Sequence, residues 1–244
     1  MCAPPMALLM AGYWSRGESL YDNARMDEAS SEVVILTHKN PIDFLSAAPL
    51  THLIYQLIKT GTSAIKSNIA RIALESIDAL GLIYKDKYAQ EKSHLAELTR
   101  KAISLAKGIE SDAENIRLLG EGWTGAEAWA VALYCVVRHA GSVQDAIIAA
   151  VNHSGDSAST GSICGSIMGA VYGYEAIKRQ RLFCPEGKEL EQTLELSNII
   201  LALADDLYTS CILGGECYDP IDTSEKRQWY ERYCEMKPAG IHMG

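Results

Sequence analysis

Nine consecutive residues, Asn152, His153, Ser154, Gly155, Asp156, Ser157, Ala158, Ser159 and Thr160, lead into a glycine-striped segment. The carboxylate of Asp156 and the hydroxyls of Ser159 and Thr160 are hard oxygen donors packed into about one helical turn. That is the donor chemistry Mg²⁺ prefers. Position 158, where a second carboxylate would complete the cluster, is Ala. The spacing reads as a metal site with one ligand removed. The same residues also suit a helix start, since Asp, Ser and Thr are favoured caps. Asn152, His153, Gly155 and Ser157 frame the loop, either as ligand contacts or as turn formers.

Gly161, Gly165, Gly169 and Gly173 recur every fourth residue and so share one helical face. Each costs roughly 1 kcal/mol relative to Ala in a helix interior, which leads us to expect close approach of another backbone. The apolar run ends at Glu175 and Lys178, too short to cross a bilayer. A packed core helix with its N-terminus facing a ligand is the reading that follows.

The stretch from Val151 to Ala170 resembles the C-terminal metal motif of the ADP-ribosylglycohydrolases, which typically reads Gly-Asp-x-Asp-[Ser/Thr] before a Gly-rich helix. Leu119 to Trp123 with Glu127-Ala128 resembles that family's Gly-x-Gly-Trp…Glu-Ala segment. Thr37-His38 with Pro41 is similar to its Thr-His-x-x-Pro turn, and Ala202–Leu207 with Trp229–Tyr233 to its closing helices. The resemblance implies an all-α fold and hydrolysis of the bond between ADP-ribose and an acceptor side chain, with two Mg²⁺ ions holding ribose and water. It implies Asp156, Ser159 and Thr160 as metal ligands, with Ala158 at a normally acidic ligand position. It further implies Asn152, His153, Gly155, Ser157 and His38 as substrate contacts. Free ADP-ribose or an ADP-ribosylated protein is the implied partner.

The departures shape the functional expectation. The family carries a Thr-Asp-Asp motif and an acidic residue near the reacting ribose in its N-terminal third, and no Thr-Asp-Asp occurs here. Met1-Cys2-Ala3-Pro4-Pro5 is similar to a Met-Arg-x-x-Pro segment that follows the family's phosphate loop, with Cys2 in place of Arg. The chain as a whole, residues 1–244, resembles the C-terminal two-thirds of the family domain, and no general base is named. Its Mg²⁺ is expected to be weak or incomplete and its hydrolysis impaired or absent. Two readings stay open. One is a hydrolase whose site tolerates Ala158, is completed by another chain, or was disabled by substitution. The other is a non-catalytic member, an ADP-ribose binder or a structural protein of crystallin type.

Composition is that of a globular protein, with 48% hydrophobic and 22% charged residues and a mean hydropathy of −0.02. A formal net charge of −9 argues against nucleic acid as the main partner. Nothing in the sequence reads as a membrane span. Seven scattered cysteines without a Cys-x-x-Cys pair suit reduced thiols and a cytoplasmic protein.

The elements that must position these residues follow from apolar periodicity of helical type almost throughout. It predicts one all-α domain with helices near 27–37, 42–59, 63–80, 88–107, 124–139, 142–151, 160–179, 188–209 and 224–235. Pro49 predicts a kink within the second. Trp123 and Trp129 are expected to pack in the core, with the border of the cleft as the alternative place for Trp123. Asp205-Asp206 reads as structural, because adjacent residues on a helix do not share a face. His52, His94 and His139 are given no role.

Overall fold

The computed structural model describes residues 3–18, 22–60, 68–178 and 195–209. Among the described residues there is helix and no strand, so the chain is all-α. The order is α1 (Pro4–Ser15), α2 (Asn23–Ile35), α3 (Pro41–Phe44), α4 (Ala47–Thr60), α5 (Ile69–Tyr84) and α6 (Ala89–Leu105). Then come α7 (Asp112–Leu119), α8 (Gly125–Arg138), α9 (Val143–Val151), α10 (Ser157–Tyr172), α11 (Tyr174–Ile177) and α12 (Ser197–Tyr208). Among the described residues no helix is long and apolar enough to cross a membrane.

The chain forms two compact units, Met1–Ala7 with Tyr21–Gly173, and Leu8–Leu20 with Tyr174–Gly244. In the second, Arg16 Nη1 donates to the Tyr208 carbonyl at 3.1 Å, and a Cβ on Gly12 would overlap that same carbonyl. The first unit is built around α8. Residues Ala128 to Val136 are buried without interruption, so this helix is covered on all sides. It packs on α3, α6, α7, α9 and α10. The buried indole of Trp129 donates to Thr99 Oγ1 at 2.9 Å, which satisfies the one polar atom its burial would strand. Cys135 and Cys164 are free and buried, and burial pushes the Cys164 thiol up to about 12. A second buried polar contact joins α2 to α4, where His52 Nδ1 lies 3.0 Å from Asp27 Oδ2.

Several expected boundaries shift for local reasons. The helix expected over 42–59 is two helices, broken at Leu45–Ser46. Pro49 falls in the first turn of α4, where a missing N–H costs nothing, so the break precedes it and no kink is needed. Helix α7 is absent from the periodicity reading. Its signal was a capping box, with Ser111 and Glu114 bonded reciprocally. Helix α10 starts at Ser157 rather than near Thr160, because Asp156 is its cap. The helix expected over 224–235, Trp229–Tyr233, Cys2 and residues 63–67 lie outside the described residues.

The glycine stripe behaves differently from the expectation of backbone contact. The buried face of α10 is Thr160, Ile163, Cys164, Ile167, Met168 and Val171. Gly161 and Gly165 lie beside it and receive side chains of α9, while a Cβ on Gly173 would meet nothing within 4 Å. A Cβ on Gly161 would meet Val151 Cγ1 at 2.7 Å, and one on Gly165 would meet Ile147 Cδ1 at an ordinary 3.6 Å. Backbone contact is found instead at Gly155, where a Cβ would overlap the carbonyl of Glu121. Gly165→Ala should therefore be neutral or stabilising, by up to about 1 kcal/mol from helix propensity. Gly155→Ala should cost about 1–3 kcal/mol, as overpacking does. Thermal melts of both variants check this, and equal midpoints would refute the distinction.

Candidate functional site

The N-termini of α4, α8 and α10, with Asp43 of α3, meet at one cavity of about 310 Å³ within the first unit. Its floor is apolar, formed by Val34, Leu50, Trp129 and Ile163. Its polar wall carries His38, Asp43, Asp156 and Ser159, with Trp123 at the same cavity. A mostly apolar cleft with a few convergent polar groups is the usual form of a small-molecule site.

Local chemistry fixes each wall. Asp156 caps α10, its Oδ1 accepting from Ser159 N at 3.0 Å and its Oδ2 from Ser159 Oγ at 2.5 Å. These two bonds from Ser159 hold the Asp156 carboxyl below the usual carboxylate range. The preceding turn is clasped to the α7–α8 loop by the Asp156 N–H, which donates to the Glu121 carbonyl at 2.8 Å. In that loop Gly122 has φ +78°, and a Cβ there would sit 3.0 Å from Thr160 Cγ2. A glycine is thus required for both conformation and space.

The expected site residues divide into two groups. Asp156, Ser159 and His38 meet at the cavity, with His38 Nδ1 lying 2.8 Å from Thr37 Oγ1. The others hold the loop in shape. Asn152 Nδ2 donates to the Ile148 carbonyl at 3.0 Å at the end of α9. Ser157 Oγ donates to the His153 carbonyl at 3.1 Å. His153 Nδ1 accepts from the Gly155 N–H at 3.1 Å, which assigns the ring proton to Nε2, beside Ala150 O and Thr160 Oγ1. The Thr160 hydroxyl is fully buried and donates to Ala150 O at 2.7 Å. The Ala158 side chain is exposed.

One cavity residue escaped the sequence reading, and another took the less expected of its two places. Core packing was the main expectation for Trp123 and the border of the cleft its alternative; it lines the cavity and is 68% exposed. Its Nε1 donates to Glu121 Oε2 at 3.1 Å and its N–H to Glu127 Oε2 at 3.2 Å. The two glycines before it, Gly120 and Gly122, both at positive φ, were the available signal, since they mark a turned, surface-borne loop. Asp43 lines the cavity with Oδ1 accepting the Gly125 N–H at 2.8 Å. In the sequence it reads only as an acidic residue in a first helical turn.

A family model described as ADP-ribosylglycohydrolase matches residues 1–216. No curated protein matches the chain, and no solved structure does.

The Asp156–Ser159 bonding has a measurable signature. The folded carboxyl titrates below its unfolded value. Its contribution to stability is therefore present above the unfolded value and is lost as pH falls through the folded one, in the acid window under about 3.9. In Ser159→Ala the Asp156 midpoint should rise toward the ordinary carboxylate value. A pH titration followed by NMR at the Asp156 carboxyl carbon checks this, and an unmoved midpoint would place the cause elsewhere.

Proposed function

Because the chain belongs to the ADP-ribosylglycohydrolase family, with a glycohydrolase-like function, we propose that its cavity binds ADP-ribose, free or on a modified acceptor, and holds Mg²⁺ weakly. The observation that carries this reading is the meeting of Asp156, Ser159 and His38 at one cavity, from segments far apart in sequence. An exposed indole at the same cavity offers a stacking surface for a purine.

The donor set supports weak metal binding. Both oxygens of Asp156 already accept from Ser159, Thr160 is turned into the interior, and position 158 offers a methyl group to solvent. Among the described residues no group of three or more His, Cys, Asp or Glu is placed to hold a metal ion. Mg²⁺ demands near-ideal octahedral oxygen coordination and sheds its water reluctantly, so these residues do not fit a tightly held pair of ions. Slow hydrolysis or binding alone is the activity this site supports, and the second agrees with the reading of a non-catalytic ADP-ribose binder.

Calorimetry tests both halves. Asp156→Asn retains a good helix cap while removing the charge. ADP-ribose affinity equal to wild type would place the ligand away from α10. Ala158→Asp restores a carboxylate one residue before Ser159, and Mg²⁺ affinity should rise at least about tenfold, the scale on which lost metal-site partners act. No gain would show that position 158 does not face the ion. Robust release of ADP-ribose from a modified peptide by the unaltered chain would overturn the weak-site reading.

A further inference from the structure

We propose that Asp43 is the residue with which this cavity recognises a hydroxyl of the terminal ribose, the one not bearing the base; the inference rests on the ADP-ribose reading above. Asp43 is half-buried in the cavity wall and is held from two sides. Its Oδ1 accepts the Gly125 N–H at 2.8 Å, and its carbonyl accepts from Ser46 Oγ at 2.6 Å. Gly125 itself lies against α3, so that a Cβ there would come within 2.8 Å of the Asp43 Cα and carbonyl oxygen. The carboxylate is thus fixed in place by backbone packing as well as by a hydrogen bond.

Among the described residues the Gly125 bond is the one side-chain hydrogen bond Asp43 makes, which leaves Oδ2 with both lone pairs available. Asp156 is not equivalent, because Ser159 engages both of its oxygens. Of the two carboxylates lining the cavity, Asp43 is therefore the one with an oxygen that no hydrogen bond among the described residues engages.

The plainest alternative is that Asp43 merely satisfies an orphan N–H at the start of α8. That task needs one oxygen and no charge, and an Asn performs it as well. Thr124 already caps the same helix end, its side chain accepting from Glu127 N at 3.3 Å. A charge adds an acceptor-only group that repels phosphate and carboxylate and selects a donor. In ADP-ribose the donors are the ribose hydroxyls and the adenine amine. A fixed carboxylate bonding a ribose hydroxyl is the arrangement by which dinucleotide-binding folds read ribose. Trp123, largely exposed, suits the base. With the base on Trp123, the Asp43 carboxylate of the same cavity, about 310 Å³, is left for a ribose hydroxyl.

The test is calorimetry of wild type, Asp43→Asn and Asp156→Asn with two probes, ADP-ribose and ADP, which lacks the terminal ribose. Wild type should bind ADP-ribose at least about tenfold more tightly than ADP. Asp43→Asn should lose about tenfold for ADP-ribose, the scale of a charge-assisted hydrogen bond, and stay within about twofold for ADP, with an unchanged melting midpoint. Equal affinity of Asp43→Asn and wild type for ADP-ribose, while Asp156→Asn weakens it, overturns this inference and leaves the ADP-ribose site standing. Equal loss for both probes overturns the ribose assignment. Equal wild-type affinity for ADP-ribose and ADP overturns it whatever the variants do. If wild type binds neither probe, the ADP-ribose reading and this inference fall together.

Discussion

The Asp156 N–H donating to the Glu121 carbonyl ties two loops that are 35 positions apart in the chain. It can form only because residue 155 has no side chain, since any Cβ would overlap that carbonyl. From this contact the start of α10 and the loop before α8 acquire a fixed spacing, and the cavity lies where they meet α3. A second glycine, Gly125, performs the same service between α3 and α8. The polar wall is therefore assembled from helix starts whose positions are set by backbone against backbone.

The interior behind that wall is built to resist displacement. Helix α8 buries a continuous run from Ala128 to Val136, with small residues on several sides that let its neighbours approach. The one large polar group in this run that faces the cavity side, the indole of Trp129, is satisfied by Thr99. Such close-packed interiors deform little when a surface loop is pulled. The loops inherit their rigidity from this core, and the capping bonds transmit it to Asp156 and Asp43.

Much of this was legible in the residues. The all-α class, the bounds of α6, α8 and α9 to within about two residues, and the family itself followed from periodicity and from the Asn152–Gly161 motif. What was not legible depends on contacts distant in sequence. Nothing local distinguishes Asp43 from any acidic residue near a helix start, because its partner is Gly125. For Trp123 the sequence left both the core and the border of the cleft open, and only the course of the loop carrying it decides for the cleft. The glycine stripe suggested backbone contact, yet at Gly161 and Gly165 it is side chains, Val151 and Ile147, that lie against it. Periodicity reports which face is buried and is silent on what covers it.

Fixing the wall before any ligand arrives has a thermodynamic consequence. Association always loses translational and rotational freedom, and ordering each flexible side chain adds about 0.5–1.5 kcal/mol. Here Asp43, Asp156 and Ser159 are already immobilised by hydrogen bonds to the protein, so little further entropy is surrendered when they engage a ligand. Even Trp123, although exposed, has its indole N–H tethered to Glu121. A site of this kind does its selecting by shape and donor pattern rather than by closing around its ligand. The same rigidity makes it unforgiving of a misplaced group, since the wall has no slack with which to accommodate one.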